Sequence, residues 1–435
     1  MTANRLAPAF LISLLVATQA GSQSVAIPDT PAGHVLSAWL DAFNSGDSAR
    51  LAAFDATHDG RDPNYSENQR RFRSQTGGFD LTRIHNSAPT YIEYLATERA
   101  SGREAMGMFA VTAAEPPKIL GSQMRLVMPG ATLVGYGIDA ATRKRVILAV
   151  TDKLNENYVF PETAKKMEDA LRKADRRGEY KEISNGDDFA RLLTTQLQEV
   201  SRDKHLRVNF NPFAMPPPSA APPGPPMNRD GCGFEKAERL PGNVGYVKLN
   251  QFGDPAACKA IAAAAMAFLA NADAVIFDLR DNGGGHPDMV AFLCSYLFAE
   301  RTHLNDFWMR ASNQTRESWT SEEVPGAKFT TQPVYVLTAR RTFSGAEEFA
   351  YNLKHLKRAT IVGEVTGGGA HPVRMQTIDD RFSIGVPDAR PINAVTKTNW
   401  EGTGVEPDVK VAAPDALATA QKLAAESISA NRSRR

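Results

Sequence analysis

The chain has 435 residues, enough for two or three domains with a sizeable buried core. Its 50 Lys and Arg residues nearly balance 49 Asp and Glu residues, so the formal net charge is +1. Proteins that bind nucleic acids or anionic membranes usually carry a clear basic excess, and we therefore predict neither class of partner.

The first 22 residues are typical of a secretory signal peptide. Arg5 supplies the positive charge, an apolar run covers residues 9–17, and small residues follow at Thr18 and Ala20. The apolar run is too short to cross a bilayer. We therefore expect an exported protein, most simply in a bacterial periplasm, with no transmembrane segment after signal removal.

Residues 32–135 have the pattern of an α+β domain. An amphipathic helix at 35–43 is followed by a second helical stretch and then by three strand-like segments. The segment 39–47, WLDAFNSGD, resembles the start of the cone-shaped nuclear-transport-factor-two-like domains, which often enclose a pocket. Aromatic side chains are more often core than ligand contacts, so we expect core positions for this set: Trp39, Phe43, Phe54 and Tyr94.

Residues 140–211 are predicted to form a helical subdomain. Apolar residues recur at helical spacing in 147–154 and 189–197, and the alternation in 203–210 suggests a closing strand. The proline-rich stretch 212–230 cannot supply a sheet ladder, so we expect an extended linker or lid at the surface.

Residues 231–430 alternate between strand-like and helix-like segments, as an α/β core does. Strands are predicted at 244–249, 274–279 and 334–338, and each is followed by a helix. Shorter β-like pieces and a helix after Pro414 close the domain.

The three cysteines do not form a disulfide framework, because their number is odd and the chain is large. Their spacing also lacks the pattern of metal ligands, so no metal is predicted. Free buried thiols are the expected state of Cys232, Cys258 and Cys294. A bridge, for instance between Cys258 and Cys294, is left open.

The segment 342–349 follows a predicted strand and opens a predicted helix, which places Ser344 at the turn. The first amides of a helix point toward such a hydroxyl and favour developing negative charge there, as acyl transfer requires. Serine is also a preferred N-cap, and capping alone is the competing interpretation. Glycines 283–285, between the strand and helix before it, could present further amides or could form a simple tight turn.

A serine nucleophile needs a base. Lys354 and Lys357 lie too far along the helix to serve, at about 15–20 Å from Ser344. A histidine is the usual alternative, and three stand out. His205 stands in a short strand-like segment at the end of the helical subdomain, whereas His286 and His371 adjoin glycine loops and could line a site.

Six segments resemble the peptidase family that includes tail-specific C-terminal processing proteases, the tricorn core and interphotoreceptor retinoid-binding protein. They run in the family's order over more than half of the chain. The resemblance implies a Clp protease/crotonase-like fold of ββα units, preceded by a helical subdomain. The segments are 203–206 (DKHL), 243–249 (NVGYVKL), 278–285 (DLRDNGGG), 342–347 (TFSGAE), 363–368 (GEVTGG) and 400–408 (WEGTGVEPD).

The family's tail-specific branch uses a lysine in the second glycine loop and carries a PDZ domain, and neither feature is found in this sequence. The chain therefore resembles the tricorn and retinoid-binding-protein-like branch, whose base is a histidine. This implies Ser344 as nucleophile, His205 as general base and Glu401 as the orienting carboxylate, with Gly284 (or a neighbour) and Gly345 as oxyanion donors. Gly283, His286 and His371 are possible lining residues.

We therefore predict an exported serine peptidase that acts on peptides or proteins through an acyl-enzyme, without a metal or an organic cofactor. The alternative is a non-catalytic or esterase-like binding module for apolar ligands on the same fold. In a third, weaker hypothesis the N-terminal domain is the functional part. Peptide specificity and oligomeric state are left open.

Overall fold

The computed structural model describes residues 25–59, 65–128, 130–214 and 231–433. The proposed signal peptide (1–22) and most of the proline-rich linker lie outside these ranges. The chain divides into two compact units, Met1–Ala131 and Thr132–Arg435. None of the helices in the described ranges is both long and apolar enough to cross a membrane.

The first unit combines helices with an antiparallel sheet, whose strand order is β1-β2-β3-β4. The four aromatic residues expected in the core are all buried there, in one apolar cluster. The sequence reading missed the polar helix α3 and the strand β1. The elements are α1 (Pro31–Ser45), α2 (Ser48–His58), α3 (Tyr65–Thr76), β1 (Phe79–Ala88), β2 (Tyr91–Glu98), β3 (Glu104–Val111) and β4 (Ile119–Leu126).

The second unit contains seven α-helices and fourteen strands among its described residues. The helices are α4 (Ala140–Asn157), α5 (Pro161–Arg176), α6 (Gly186–Ser201), α7 (Pro255–Phe268), α8 (Pro287–Ser295), α9 (Gly345–His355) and α10 (Ala416–Ser433). The strands are β5 (Thr132–Leu133), β6 (Arg207–Phe210), β7 (Phe213–Ala214), β8 (Phe234–Leu240), β9 (Val244–Leu249), β10 (Ala274–Asp278), β11 (His303–Met309), β12 (Gln314–Trp319), β13 (Val334–Thr338), β14 (Thr360–Gly363), β15 (Val373–Thr377), β16 (Phe382–Pro387), β17 (Ala389–Asn393) and β18 (Val409–Lys410).

A six-stranded sheet of order β18-β14-β13-β10-β9-β8 organises this unit. All its neighbours are parallel except β8, which is antiparallel to β9. β10 is buried on both faces: Val275 and Phe277 pack into the cluster that includes α7, α8 and α9, whereas Ala274 and Ile276 face α10. The core thus has the mixed α/β architecture expected of a Clp protease/crotonase-like fold.

Three smaller sheets flank this core, with orders β12-β11-β17, β15-β16-β6 and β5-β7. The second of them matters for the site, because β6 ends the helical subdomain and pairs with β16, for instance Val208 with Ile384. The segment before β6, which contains His205, is therefore held against the core. The predicted strand 203–210 begins only at Arg207, so His205 lies in the turn between α6 and β6.

The expectation of three free thiols was wrong. Cys232 and Cys258 form a disulfide, while Cys294 is free and fully buried. The suggested partners Cys258 and Cys294 are therefore not joined. The bridge links the segment before β8 to the first turn of α7, a contact between elements that cysteine spacing alone does not reveal.

Candidate active site

Ser344 lies in the turn that joins β13 to α9. Thr342 fixes this turn, since its hydroxyl donates to the Leu279 carbonyl at 2.8 Å and accepts from the Ala339 amide at 2.9 Å. The Phe343 amide donates to the Asn282 carbonyl at 3.0 Å. Because β10 and β13 are parallel neighbours, the loops after both strands meet at one edge of the sheet.

The backbone of Ser344 distinguishes it from an ordinary helix cap. Ser344 occupies the N-cap position of α9, but with φ 54° and ψ −121°. An N-cap residue normally adopts the extended region. A non-glycine residue in this conformation costs about 1–3 kcal/mol and persists only where surrounding contacts hold it. Sharp strand-to-helix turns of this kind expose the nucleophilic serine of α/β-hydrolases.

Glu347 joins the serine turn to the second glycine loop. Its buried carboxylate accepts hydrogen bonds from the amides of Ser344, Gly368 and Gly369 at 2.8, 2.6 and 2.9 Å, and from the Thr366 hydroxyl at 2.5 Å. Burial raises the pKa of Glu347 to about 7, and the four donors act against that rise. Glu347 lies within the segment 342–347, but no role was predicted for it from the sequence.

The first glycine loop is fixed from two sides. Phe252 donates its amide to the Gly284 carbonyl and accepts from the His286 amide, both at 2.8 Å. The buried Asn282 amide group donates to the Leu249 carbonyl, and its oxygen accepts from the Gly284 amide, again both at 2.8 Å. The Gly284 amide is thus already engaged, which argues against its predicted role as an oxyanion donor.

Gly285 and Gly345 lie side by side at the serine turn. A Cβ built on Gly345 would lie 3.2 Å from the Gly285 amide nitrogen, so the two backbones approach closely. The Gly345 amide is the first of α9, where the helix has no internal acceptor for it. Both amides therefore lie next to the Ser344 turn.

His205 packs against the residue beside the serine, with ring centroids of His205 and Phe343 4.6 Å apart. Burial lowers the pKa of His205 to about 4, although Asp203 acts in the opposite direction. The imidazole is therefore neutral at pH 7, the form that a general base requires. Its Nδ1 is buried and has no hydrogen-bond partner among the described residues.

Two carboxylates lie beside this imidazole. Asp203, His205 and Glu401 each place one ligand-type atom within 4.8 Å of the others, which also makes them the described residues that could hold a metal ion. Oε1 of Glu401 is buried and has no partner among the described residues, whereas Oε2 accepts from the Ala370 amide at 2.6 Å. The two atoms without a hydrogen-bond partner among the described residues, Nδ1 of His205 and Oε1 of Glu401, thus belong to neighbouring side chains.

A cleft of about 460 Å³ adjoins Ser344 and His205. His286 is among its lining residues, whereas Gly283 and the buried His371 are not. The cleft combines aromatic walls with one buried acid, Glu348, whose pKa burial raises to about 8. The lining residues are His205, Gln251, Phe252, Asp254, Gly285, His286, Pro287, Phe307, Ser344, Gly345, Glu348, Ala370, Pro372, Val373 and Trp400.

Two family models match the second unit. The model described as peptidase family S41 matches residues 243–411, and the N-terminal domain of peptidase S41 in eukaryotic IRBP matches residues 140–230. Residues 140–230 and 243–411 thus belong to peptidase family S41 and its N-terminal domain. Within the S41 match lie Ser344, both glycine loops and Glu401, while His205 falls in the match to the N-terminal domain.

Curated relatives of this S41 chain cover only part of it. Carboxyl-terminal-processing peptidase 2 of Arabidopsis thaliana chloroplasts is 28% identical over 173 residues, which is 38% of this chain and 31% of the relative. A carboxyl-terminal-processing protease of Synechocystis sp. is 30% identical over 148 residues, 34% of this chain and 33% of the relative. The chain thus spans about a third of the length of these relatives.

Among solved structures, the photosystem II D1 C-terminal processing protease superposes with a TM-score of 0.40 at 16% identity. The superposition covers 63% of this chain and 94% of that one.

Three polar side chains near Ser344 and His205 have contacts that were not predicted from the sequence. Asp203 stands two residues before His205, and its carboxylate accepts the His205 amide at 3.0 Å. Lys204 donates its ammonium to the Gly367 carbonyl at 2.5 Å, which ties the histidine segment to the second glycine loop. Glu348 lies one helical turn after Ser344. For Asp203 the sequence did carry a signal, since it stands two residues before a candidate base.

Proposed function

We propose that this S41 chain is an exported serine peptidase in which Ser344 is the nucleophile and His205 the general base. One observation carries the proposal: a serine in a strained strand-to-helix turn shares a cleft with a neutral, partly buried imidazole. The substrate class is a peptide or protein. A strained serine beside a base is an arrangement that capping alone does not require.

In the proposed reaction His205 removes the Ser344 hydroxyl proton as the oxygen attacks the scissile carbonyl. The oxyanion accepts hydrogen bonds from the amides of Gly285 and Gly345. His205 then gives the proton to the leaving amine, which leaves an acyl-enzyme on Ser344. Water, deprotonated by His205, hydrolyses this ester and restores the serine.

Glu401 is proposed to orient the imidazole. One ligand-type atom of Glu401 lies within 4.8 Å of a His205 ring nitrogen, and Oε1 of Glu401 and Nδ1 of His205 both lack a partner among the described residues. A hydrogen bond between the two would fix the tautomer that leaves Nε2 as the base and would stabilise the imidazolium. Gly284 is not part of the proposed oxyanion hole, since its amide is bonded to Asn282.

The proposed branch within the family is the histidine-dependent one without a PDZ domain. The match to the N-terminal domain ends at residue 230 and the S41 match begins at 243, which leaves residues 231–242 between them. Export is supported by the disulfide between Cys232 and Cys258, because such bonds persist in oxidising compartments. The N-terminal sequence of the protein recovered from a periplasmic fraction tests export, and retention of residues 1–22 there would contradict it.

Labelling with a fluorophosphonate probe tests the catalytic assignment. We expect the wild type to be labelled at Ser344, and Ser344→Ala to lose labelling and roughly 10³-fold or more of its peptide cleavage with the fold intact. His205→Ala should lose labelling as well. Ser321→Ala removes an exposed serine of the same unit and serves as the matched control. Near-wild-type turnover in Ser344→Ala would reject the assignment.

A further inference from the structure

Behind the proposed catalytic residues lies a buried group of ionisable side chains, here called the His371 cluster: Tyr158, Asp203, His371 and Glu401. Nδ1 of His371 lies 2.8 Å from Oδ2 of Asp203 and 3.5 Å from Oε2 of Glu401. The Tyr158 hydroxyl donates to the same Asp203 oxygen at 3.3 Å. His371 is 4% exposed, so it reaches neither solvent nor substrate.

The hydrogen-bond partners of His371 determine which ring nitrogen carries a proton. Carboxylates accept hydrogen bonds, so Nδ1 of His371 must carry the proton that it shares with Asp203. The ring also packs edge-on against Phe160, with centroids 5.4 Å apart. His371 therefore places a donor, and when protonated a positive charge, between two acids that would otherwise repel each other.

The ionisation of Glu401 depends on this arrangement. Burial raises the pKa of Glu401, and the nearby Asp203 raises it further. The His371 ring, together with the amides of Ala370 and His371, lowers it. A protonated Glu401 would stabilise the His205 imidazolium much less than the carboxylate does.

We propose that His371 is a positioning residue that keeps Glu401 ionised and directed toward His205, and so maintains the general base. This inference rests on the proposed function, since it gives His371 a task only if Glu401 orients His205. His371 touches neither the cleft nor the serine, and its effect is exerted through the two acids.

The charged groups around the His371 cluster determine the direction in which each substitution shifts the pKa values of Glu401 and His205. Asp203 raises the pKa of His205, whereas His371 and Arg207 lower it. Lys204 contacts the Gly367 carbonyl, and Glu347 is held by backbone amides of the same glycine loop, so neither bonds to the cluster. Loss of His371 therefore raises the pKa of both Glu401 and His205, and loss of the Asp203 charge lowers both.

The acid limb of the pH profile of kcat/KM, measured on the full chain, tests the proposal. His371→Asn keeps a hydrogen-bond donor near Asp203 but removes the ionisable ring. We expect its acid limb to move to higher pH, so that its loss of activity relative to the wild type grows as the pH falls and stays below about threefold at pH 9. Asp203→Asn should move the limb to lower pH, and the double variant should return toward the wild type.

His355→Asn is the matched control, because His355 lies on the last turn of α9 and packs on Tyr351 outside the cleft. A loss in His371→Asn that is equal at all pH values, or a double variant no better than the single one, would overturn the inference. If His371→Asn does not fold by circular dichroism, Asp203→Asn decides, and an unmoved or raised limb would contradict the proposal. Absence of labelling in the wild type would instead reject the peptidase assignment.

Discussion

Replacing Gly284 by alanine tests whether the contact between the first glycine loop and the serine turn positions the nucleophile. A Cβ on Gly284 would lie 2.7 Å from the Ser344 Cβ, 2.9 Å from the Gly345 amide nitrogen and 3.0 Å from the Phe343 carbonyl oxygen. All three atoms belong to the serine turn. Gly284 also has φ +110°, which side-chain-bearing residues rarely adopt.

The size of the effect follows from these distances. Non-bonded carbon atoms are most stable at about 3.5–4.0 Å, so Ser344 and Gly284 must separate by roughly 0.8 Å or more. A displacement of about 1 Å at a reacting group can cost about 10²-fold in rate. The backbone strain costs about 1–3 kcal/mol in addition. We therefore expect Gly284→Ala to fold with reduced stability and to lose about 10²-fold in kcat/KM.

Gly283→Ala is the matched control, since a Cβ there meets no atom within 4 Å and Gly283 has no positive φ. The assay compares rates of fluorophosphonate labelling and peptide cleavage of both variants with the wild type, with urea unfolding to follow stability. Equal activity of Gly284→Ala and Gly283→Ala would refute the argument that this close approach sets the position of Ser344.

Three further predictions concern the surrounding residues. Glu347→Gln should lose activity by about tenfold or more and be less stable, because an amide cannot accept from four donors. Glu348→Gln should stay within about threefold of the wild type below pH 7, where Glu348 is already uncharged. Steady-state kinetics compare the two variants, and equal effects would contradict this prediction. Because burial lowers the pKa of His205 to about 4 and protonation removes the base, activity should persist well below pH 6.5; an acid limb of kcat/KM at 6.5 or above would disagree. The disulfide closes a separation of 26 residues, so replacing Cys232 and Cys258 by serine should lower the free energy of unfolding by about 3–4 kcal/mol. Urea unfolding measures this change, and an unchanged unfolding midpoint would count against the prediction.

Three strands of the central sheet, β9, β10 and β13, could be predicted because each is a buried and largely apolar run. β8 was not predicted, since its sequence, FEKAERL, is largely polar and only partly buried. β9 and β13 have the bounds that the sequence pattern gives, 244–249 and 334–338. β12 escaped prediction because its sequence, QTRESW, is polar and four of its six residues are exposed. Its partner β11 carries few β-branched residues, so only tertiary pairing identifies these strands.

The site was predictable to the extent that its residues stand in local motifs. Ser344, His205 and Glu401 were proposed through such motifs, and Ser344 and His205 share one cleft. Hydrogen-bond partners were not predictable, because Asn282 takes the Gly284 amide and Glu347 reaches the second glycine loop only in the folded chain. The disulfide was missed for the same reason.

The conformation of Ser344 shows why these unpredicted contacts matter for the chemistry. Its backbone costs about 1–3 kcal/mol, and a cap would not need that conformation. Three hydrogen bonds hold the turn: Ser344 to Glu347, Phe343 to Asn282 and Thr342 to Leu279. At about 0.5–1.5 kcal/mol each they are sufficient to offset the strain. The partners come from α9 and from the loop after β10, so the position of Ser344 is a property of the packed core and not of the serine motif alone.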